Sequence, residues 1–218
     1  MIKIEDICEK ISNNIAQELN LDDDKKSVIN YGIFAFIQIV ICIGLVIVFG
    51  LIFNVVIESL IVSFTISILR KSSGGVHASS PGRCAIIGTI TSVGMGLISK
   101  YINVSLGLVI FVGGVIFIWS YYIIYKLAPV DSIVKPIKSI EKRTRLKKSS
   151  VMILSVYLII IIAESLYFYF MRNSSVLVYA LCIYMGMLWQ VFSLTKCGHL
   201  LIRKLDKLFK TIIEFKRR

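Results

Sequence analysis

Long apolar blocks separated by short polar segments dominate this chain, and they predict membrane-spanning helices. From Tyr31 to Leu69 there is no Lys or Arg, a run too long for a single helix of ~20 residues across a hydrocarbon core of ~30 Å. We therefore divide it at Asn54. The predicted spans are 32–53, 55–69, 85–99, 102–125, 151–170 and 176–195. The pattern predicts an all-α integral membrane protein with about six transmembrane helices.

The two ends of the chain have a different pattern, in which apolar residues recur every three or four positions. The N-terminal stripe is Ile4, Ile7, Ile11, Ile15 and Leu19, and the C-terminal stripe is Leu201, Leu205, Leu208, Ile212 and Phe215. Charged side chains fill the positions between, so both ends are predicted to be amphipathic helices that lie in the membrane interface. For the N-terminal helix, packing on another part of the same protein is the alternative.

The composition favours one membrane domain over residues 1–218. Hydrophobic residues make up 56% of the 218 residues and charged residues 17%, whereas soluble domains carry about 25% charged residues. Six spans consume roughly 120 residues, which leaves no room for a separate soluble domain. We divide the domain into an N-terminal amphipathic helix (1–28), a transmembrane bundle (29–195) and a basic amphipathic tail (196–218). The first residues lack the features of a cleavable signal peptide.

The net charge of +12 points to membrane lipid as a partner and not to nucleic acid, because the positive charges are distributed asymmetrically. In a six-span topology, all but two of the 25 Lys and Arg residues fall on the side that holds both termini. The exceptions are Lys100 and Arg172. Cytoplasmic loops carry an excess of such residues. We therefore expect a multi-pass protein of the cell membrane, with its termini and the polar loop 70–84 in the cytoplasm.

The polar loop 70–84 contains the candidate chemistry. It holds His77, one of only two histidines, and Cys84, which lies at the start of an apolar helical run. A thiolate is favoured at a helix N-terminus beside a cation such as Arg83. A lone cysteine is often inert packing and a lone histidine an ordinary polar group. Their occurrence together in one short loop predicts Cys84 as a nucleophile and His77 as its base.

Glycines in the same loop suggest how an oxyanion would be stabilised. Gly74 and Gly75 allow positive φ and close approach of amide groups to a bound carbonyl, and amides at the start of the following helix are the alternative. The pair Pro81-Gly82 predicts a turn that folds Cys84 back toward His77. The five cysteines show no metal-ligand spacing, and no nucleotide-binding, zinc-protease or serine-hydrolase motif occurs. We therefore expect no metal and no cofactor.

The motif Arg70-x₃-Gly74-Gly75-x-His77-x₆-Cys84 resembles the signature of the accessory gene regulator B family of membrane cysteine endopeptidases. The later segment 128–136 (Ala-Pro-Val-Asp-Ser-Ile-Val-Lys-Pro) resembles a second motif of that family. Chain length, span pattern and basic tail are also similar, so the resemblance covers nearly the whole chain. It implies that His77 and Cys84 are the catalytic pair, and that Arg70, Gly74 and Gly75 support them.

The resemblance also implies a substrate and a product. Family members remove the acidic C-terminal tail of a quorum-sensing pheromone precursor through an acyl-enzyme thioester and promote cyclisation of the peptide, and a homodimer is implied. The competing class is a non-enzymatic membrane transporter or signalling scaffold. Its support is the polar residues in or near the spans, namely Gln38, Ser63, Thr65, Asn103 and Gln190.

A third catalytic residue is less obvious. Asp131, within the second motif, is the candidate for orienting His77, and helix capping or an ion pair with Lys135 is the alternative. Glu58 and Glu164 lie within spans, too far from His77 in this topology. Cys197 and His199 are two residues apart and do not face each other on a helix, so we interpret them as the joint between the last span and the tail.

Overall fold

The structure, a computed structural model, describes residues 4–76, 78–103, 105–131, 137 and 139–215. Within these residues the chain forms eight α-helices and no β-strand, so the prediction of an all-α protein is confirmed. The helices are α1 (Ile4–Glu18), α2 (Asp23–Ile52), α3 (Val56–Ser73), α4 (Pro81–Tyr101), α5 (Leu106–Leu127), α6 (Ile140–Met171), α7 (Ser174–Phe192) and α8 (Lys196–Phe215).

The chain divides into two compact units, residues 1–45 and residues 46–218. The first unit contains the predicted N-terminal helix, α1, and the beginning of α2. Between them the amide N–H of Leu21 donates to the carbonyl of Ala16 at 2.9 Å. The amide of Lys25 donates to the carboxylate of Asp22 at 2.8 Å, which satisfies one of the open N–H groups at the start of α2.

Five of the described helices are long and apolar enough to cross a membrane: α2, α4, α5, α6 and α7. The remaining predicted span, 55–69, forms helix α3, but this helix also carries Glu58, Arg70 and Lys71. These charges lie at its two ends and exclude it from the set of long apolar helices. The predicted number of six spans thus corresponds to five such helices and the shorter, more polar α3.

Three helices begin four or more residues earlier than the hydrophobic pattern predicts, and the first of them is α2, which begins at Asp23 and not at residue 32. Helix α4 begins at Pro81, so Pro81 and Gly82 form its first turn and not the predicted reverse turn; proline fits the first helical position because its missing N–H has no partner there in any case. Helix α6 begins at Ile140, inside the predicted basic loop 126–150. The side chain of Ser139 caps it, and good helix formers follow.

Helices α3 and α7 form the centre of the second unit, and α4, α5 and α6 pack around them. Gly186 permits the close approach of α7 to α3, because a Cβ there would lie 2.9 Å from the carbonyl oxygen of Val62. Gly113 similarly makes room on α5 for the ring of Tyr184. Small residues at such positions let membrane helices pack tightly. The largest fully buried apolar side chains in this unit include Leu69, Ile124, Leu154, Met187 and Val191.

Polar contacts mark the two ends of the second unit. At the end that contains the α3–α4 connection, here called the loop end, Ser150 donates to Ser72 at 2.9 Å. At the other end, here called the far end, Lys100 pairs with Glu58 at 3.7 Å and donates to the backbone carbonyl of Asn54. Glu58 and Cys84 thus belong to opposite ends of the helical bundle, as the sequence predicted.

Candidate active site at the loop end

Helix α3 ends at two glycines in conformations that other residues rarely adopt. The amide of Gly74 donates to the carbonyl of Arg70 at 3.0 Å, and φ is +71° at Gly74 and +128° at Gly75. A Cβ at Gly74 would collide with the carbonyl oxygen of Val130. Because the Gly74 N–H is bound to the carbonyl of Arg70, it is not available to an oxyanion. Of the amides proposed from the sequence to stabilise an oxyanion, those of Gly75 and of the start of α4 remain.

The segment that resembles the second family motif lies against these glycines. Val130 forms a parallel β-bridge with Gly74, and the Val130 amide donates to the carbonyl of Ser73 at 2.9 Å. Ala128 is buried and Val130 is half-buried. The two motifs that the sequence singled out are thus neighbours in space, although the contacting residues Gly74 and Val130 are more than fifty positions apart.

A buried glutamine of α7 fixes the same turn from another side. The Gln190 side chain is completely buried, and its Nε2 donates to the carbonyl of Gly74 at 2.8 Å and to the hydroxyl of Ser73 at 3.0 Å. A Cβ at Gly75 would lie 3.0 Å from the hydroxyl of Ser193, which lies one helical turn after Gln190. The glycine turn therefore fits closely against α7 and has little freedom to move.

Arg70 connects this turn to the cysteine. Its guanidinium donates to the backbone carbonyl of Val76, next to His77 in sequence. Burial lowers the pKa of Arg70, and the nearby Cys84 opposes that change, since a negative sulfur favours the charged guanidinium. Arg70 lies just past the predicted span 55–69. Arg70 is thus one cation whose charge interacts with Cys84.

Cys84 lies in the first turn of α4 and is half-buried. Its amide donates to the carbonyl of Ser80 at 2.9 Å, the first backbone bond of the helix. The preceding amides, of Gly82 and Arg83, fall among the first N–H groups of α4, which have no partner within a helix. The Ser80 side chain does not cap them. These amides point along the helix toward its N-terminus, where a developing negative charge is stabilised.

Arg83, which the sequence associated with Cys84, is bound to α8. Its Nε lies 2.6 Å from Oδ1 of Asp206, and Ser79 binds the other carboxylate oxygen. The expectation that Arg83 favours a thiolate at Cys84 stays a prediction, since this guanidinium is paired with a carboxylate of α8. The fold adds Arg70, which interacts electrostatically with Cys84 although the two residues lie on different helices.

His77 and Lys135 lie outside the described residues, so the proposed pairing of His77 with Cys84 stays a prediction. Asp131 pairs with Arg143 at 3.4 Å. This ion pair fastens the second motif to the first turn of α6. Within the described chain, no three His, Cys, Asp or Glu side chains are grouped so that they could hold a metal ion.

Cys197 and His199 belong to the first turn of α8, as expected for a joint. Gly198 makes the corner possible, because a Cβ there would collide with the carbonyl oxygen of Phe192. Burial and the charge of Arg203 lower the pKa of His199. His199 is therefore neutral near pH 7.

Two residues that position the loop were missed as site residues by the sequence reasoning. Gln190 was grouped with the scattered polar residues of the spans, and Asp206 was not singled out. Each carries a signal that is visible afterwards: Gln190 is an amide in an apolar helix, and Asp206 is one of two acidic residues in the basic helix α8. The sequence does not show the binding partner of either residue, since Gln190 and Asp206 each bind a residue more than a hundred positions away.

Comparisons with known proteins agree with this arrangement. Residues 8–194 match the family described as Accessory gene regulator B. Two Clostridium perfringens proteins whose names describe them as AgrB-like, from strains SM101 and 13, are each 40% identical over 206 residues, which cover 93% of this chain and 96% of theirs. No solved structure matches the chain. The family match extends from α1 to the end of α7 and includes the whole loop end except α8. The chain belongs to the Accessory gene regulator B family.

Proposed function

We propose that this protein is a membrane cysteine endopeptidase that removes the acidic C-terminal tail of a quorum-sensing pheromone precursor and promotes its cyclisation. The observation that carries the proposal is the surroundings of Cys84. The cysteine occupies the first turn of a helix, Arg70 acts on it electrostatically, and the adjoining glycine turn is fixed by Gln190 and Val130. A rigid turn, a nearby cation and a helix N-terminus are what a thiolate nucleophile requires.

In the proposed mechanism the thiolate of Cys84 attacks the carbonyl carbon between the signal segment and the acidic tail. His77 takes the thiol proton and later gives it to the leaving amine. A carbon–sulfur bond forms and the peptide carbon–nitrogen bond breaks, so the tail leaves and the signal segment remains as a thioester. The amides of Gly75, Gly82 and Arg83 are the candidates for stabilising the oxyanion.

The ring closes in a second transfer. A side-chain thiol or hydroxyl of the bound peptide attacks the thioester carbonyl, and the sulfur of Cys84 leaves and recovers a proton. When the attacking group is a thiol, one thioester replaces another, so the step requires no nucleotide. A site at the membrane surface that excludes water would prevent water from competing with this side chain for the acyl group.

Charge supports the class of substrate. Exposed basic side chains surround the loop end, including Lys71, Arg145, Arg203 and Lys204. In the proposed orientation this end faces the cytoplasm, where such an excess of positive charge belongs. An acidic tail is attracted to this surface, and an amphipathic precursor helix lies in the same membrane interface. The homodimer implied by the resemblance stays a prediction.

The transporter alternative loses part of its support. Of the polar residues that suggested a permeation path, Gln190 fixes the glycine turn. Thr65 donates to its own helix at Ile61, and its carbonyl accepts from Tyr157 at 3.0 Å. These groups are used in holding helices together, as buried polar groups in membrane bundles commonly are.

The test is co-expression of the protein with a precursor peptide that has an amphipathic N-terminal half, an internal cysteine and an acidic tail. Wild type and Cys197→Ser, which changes an exposed thiol in α8, are expected to release the tail. Cys84→Ser and His77→Ala are expected to release none. Mass spectrometry of the protein should find an acyl group on Cys84 that hydroxylamine removes. Tail release that persists in Cys84→Ser would overturn the proposal.

A further inference from the structure

A closed ring of hydrogen bonds joins α8 to the start of α4. Oδ1 of Asp206 accepts from Nε of Arg83 at 2.6 Å. Oδ2 accepts from the hydroxyl and the amide of Ser79, at 2.6 and 3.2 Å. The ring closes because Nη2 of Arg83 donates to the hydroxyl of Ser79 at 2.6 Å. Both carboxylate oxygens are thus bound, and the Ser79 hydroxyl donates once and accepts once.

Along the chain, the ring lies between the two predicted catalytic positions. Ser79 follows His77 by two residues, and Arg83 directly precedes Cys84. The Ser80 side chain does not cap α4, so this connection is not fixed by its own helix cap. The carboxylate of Asp206 instead binds backbone and side chain on both sides of Pro81. It therefore fixes the path of the chain from the loop into the first turn of α4.

Helix α8 has three faces, and the carboxylate lies on the one that meets the protein. At ~100° per residue, Ile202 and Asp206 share a face, and this face packs against α4. Ile202 is buried, and the Asp206 side chain is 16% exposed. A second face carries the exposed apolar residues Leu201, Leu208 and Ile212. The third carries exposed basic residues, including Arg203, Lys207 and Lys210.

This division gives each face one partner. The apolar and basic faces are those of a helix lying in a membrane interface, so α8 is oriented by the lipid surface as well as by the protein. With its orientation fixed in this way, α8 presents a single carboxylate to the loop. Asp206 bears the opposite charge to the basic residues around it, and it is paired with Arg83.

We infer that Asp206 is a positioning residue for the reaction of Cys84: it holds the segment from Ser79 to Arg83 so that the thiol and the loop keep their reactive geometry. The inference rests on the proposed function, because it concerns the same cysteine. It assigns to α8, which lies beyond the part of the chain that matches the family, a role in the active site.

The experiment compares Asp206→Asn with wild type in proteoliposomes, using the acidic-tailed precursor of the co-expression test as substrate. We expect kcat for tail release to fall ~10- to 100-fold, the range produced by small displacements of a reacting group, with KM little changed. Hydrogen–deuterium exchange of the peptide covering residues 78–84 should become roughly tenfold faster, since one hydrogen bond is worth about that factor. Glu141→Gln, which removes an exposed carboxylate at the start of α6, is the matched control and should change neither.

A second variant keeps the test decisive if Asp206→Asn does not fold. Ser79→Ala removes one member of the ring without changing charge, and it should lower kcat in the same direction by a smaller factor. Because both residues belong to one ring, the double variant should lose no more than Asp206→Asn alone.

Unchanged kcat in both single variants would overturn the inference, and so would a loss of kcat without faster exchange at residues 78–84. Failure of the proposed function is a separate result. In that case Cys84→Ser releases the tail as wild type does, while the exchange measurement still reports whether Asp206 holds the loop.

Discussion

The two ends of the second unit are fastened in different ways. At the far end, the connection from α2 to α3 is closed by local backbone bonds, such as that from Val55 to Gly50 at 2.8 Å. Lys100 of α4 also binds there: it pairs with Glu58 and donates to the carbonyl of Asn54 within this connection. At the loop end, the connection from α3 to α4 is held by three residues distant in sequence: Val130, Gln190 and Asp206.

This difference indicates which end requires an exact geometry. A connection that only reverses the chain needs few bonds, and local ones are sufficient. Long-range polar bonds require several segments to be ordered at once, which costs conformational entropy. Such bonds are valuable where reacting groups must be kept within a fraction of an ångström of their places. Under the proposed function, the loop end meets that description and the far end does not.

The largest expected effect comes from adding a side chain to the glycine turn. Gly74→Ala forces φ = +71° and ψ = −150° on a residue with a Cβ, a region that costs ~1–3 kcal/mol, and pushes that Cβ onto Val130. We expect tail release to be lost and the thermal unfolding temperature in detergent to fall. Gly88→Ala is the control, since a Cβ there meets nothing within 4 Å. Equal activity of the two variants would contradict the importance of the turn.

The next largest effect should follow from removing the glutamine anchor. Gln190→Leu leaves the carbonyl of Gly74 and the hydroxyl of Ser73 without this donor, at a cost of ~1–3 kcal/mol. We expect a marked fall in kcat together with lower thermal stability. Gln38→Leu makes the same change in α2, where the amide donates to Cys42 in its own helix. That control should retain its rate; a matching loss in both variants would show that the effect does not depend on the loop.

At the far end the same kind of change should matter little. Lys100→Ala removes both the ion pair with Glu58 and the hydrogen bond to the carbonyl of Asn54, and the Lys100 side chain is 37% exposed. Partly exposed pairs contribute ~0.2–1 kcal/mol, so only a small change in thermal unfolding is expected, with tail release unchanged. A loss of activity here as large as that of Gln190→Leu would remove the contrast between the two ends.

The smallest effect concerns pH. Burial raises the pKa of Asp206, but the hydrogen bonds and charge of Ser79 and Arg83 outweigh it, so this pKa lies below its ordinary range. The contribution of the ring is therefore fully present above the ordinary carboxyl pKa of ~3.9 and is lost only as the pH falls through the lowered value. The factor by which Asp206→Asn reduces kcat should be the same at about pH 6 and about pH 8. A factor that changes between them would mean that Asp206 titrates there.

Hydrophobic pattern predicted the helices well because burial in lipid demands continuous apolar runs. It misplaced the starts of α2, α4 and α6; at α6, capping by Ser139 and helix formers such as Lys142 extend the helix into polar sequence. Motif spacing led to Cys84 and its glycines, since those constraints are local. The electrostatic interaction of Arg70 with the cysteine depends on how separate helices meet, and spacing along one chain carries no such information.

The long sequence separation of the Gln190 and Asp206 contacts, 116 and 127 positions, has a consequence for assembly. Contacts of this kind form late, because the helices that carry both partners must already be in place. The bonds of Asp206 to Ser79 are exposed, so they should open before the buried helical core when the protein is weakened locally. A moderately destabilised variant should therefore retain its helix content while the proposed catalytic centre is already lost, so that circular dichroism alone would report an intact but inactive protein.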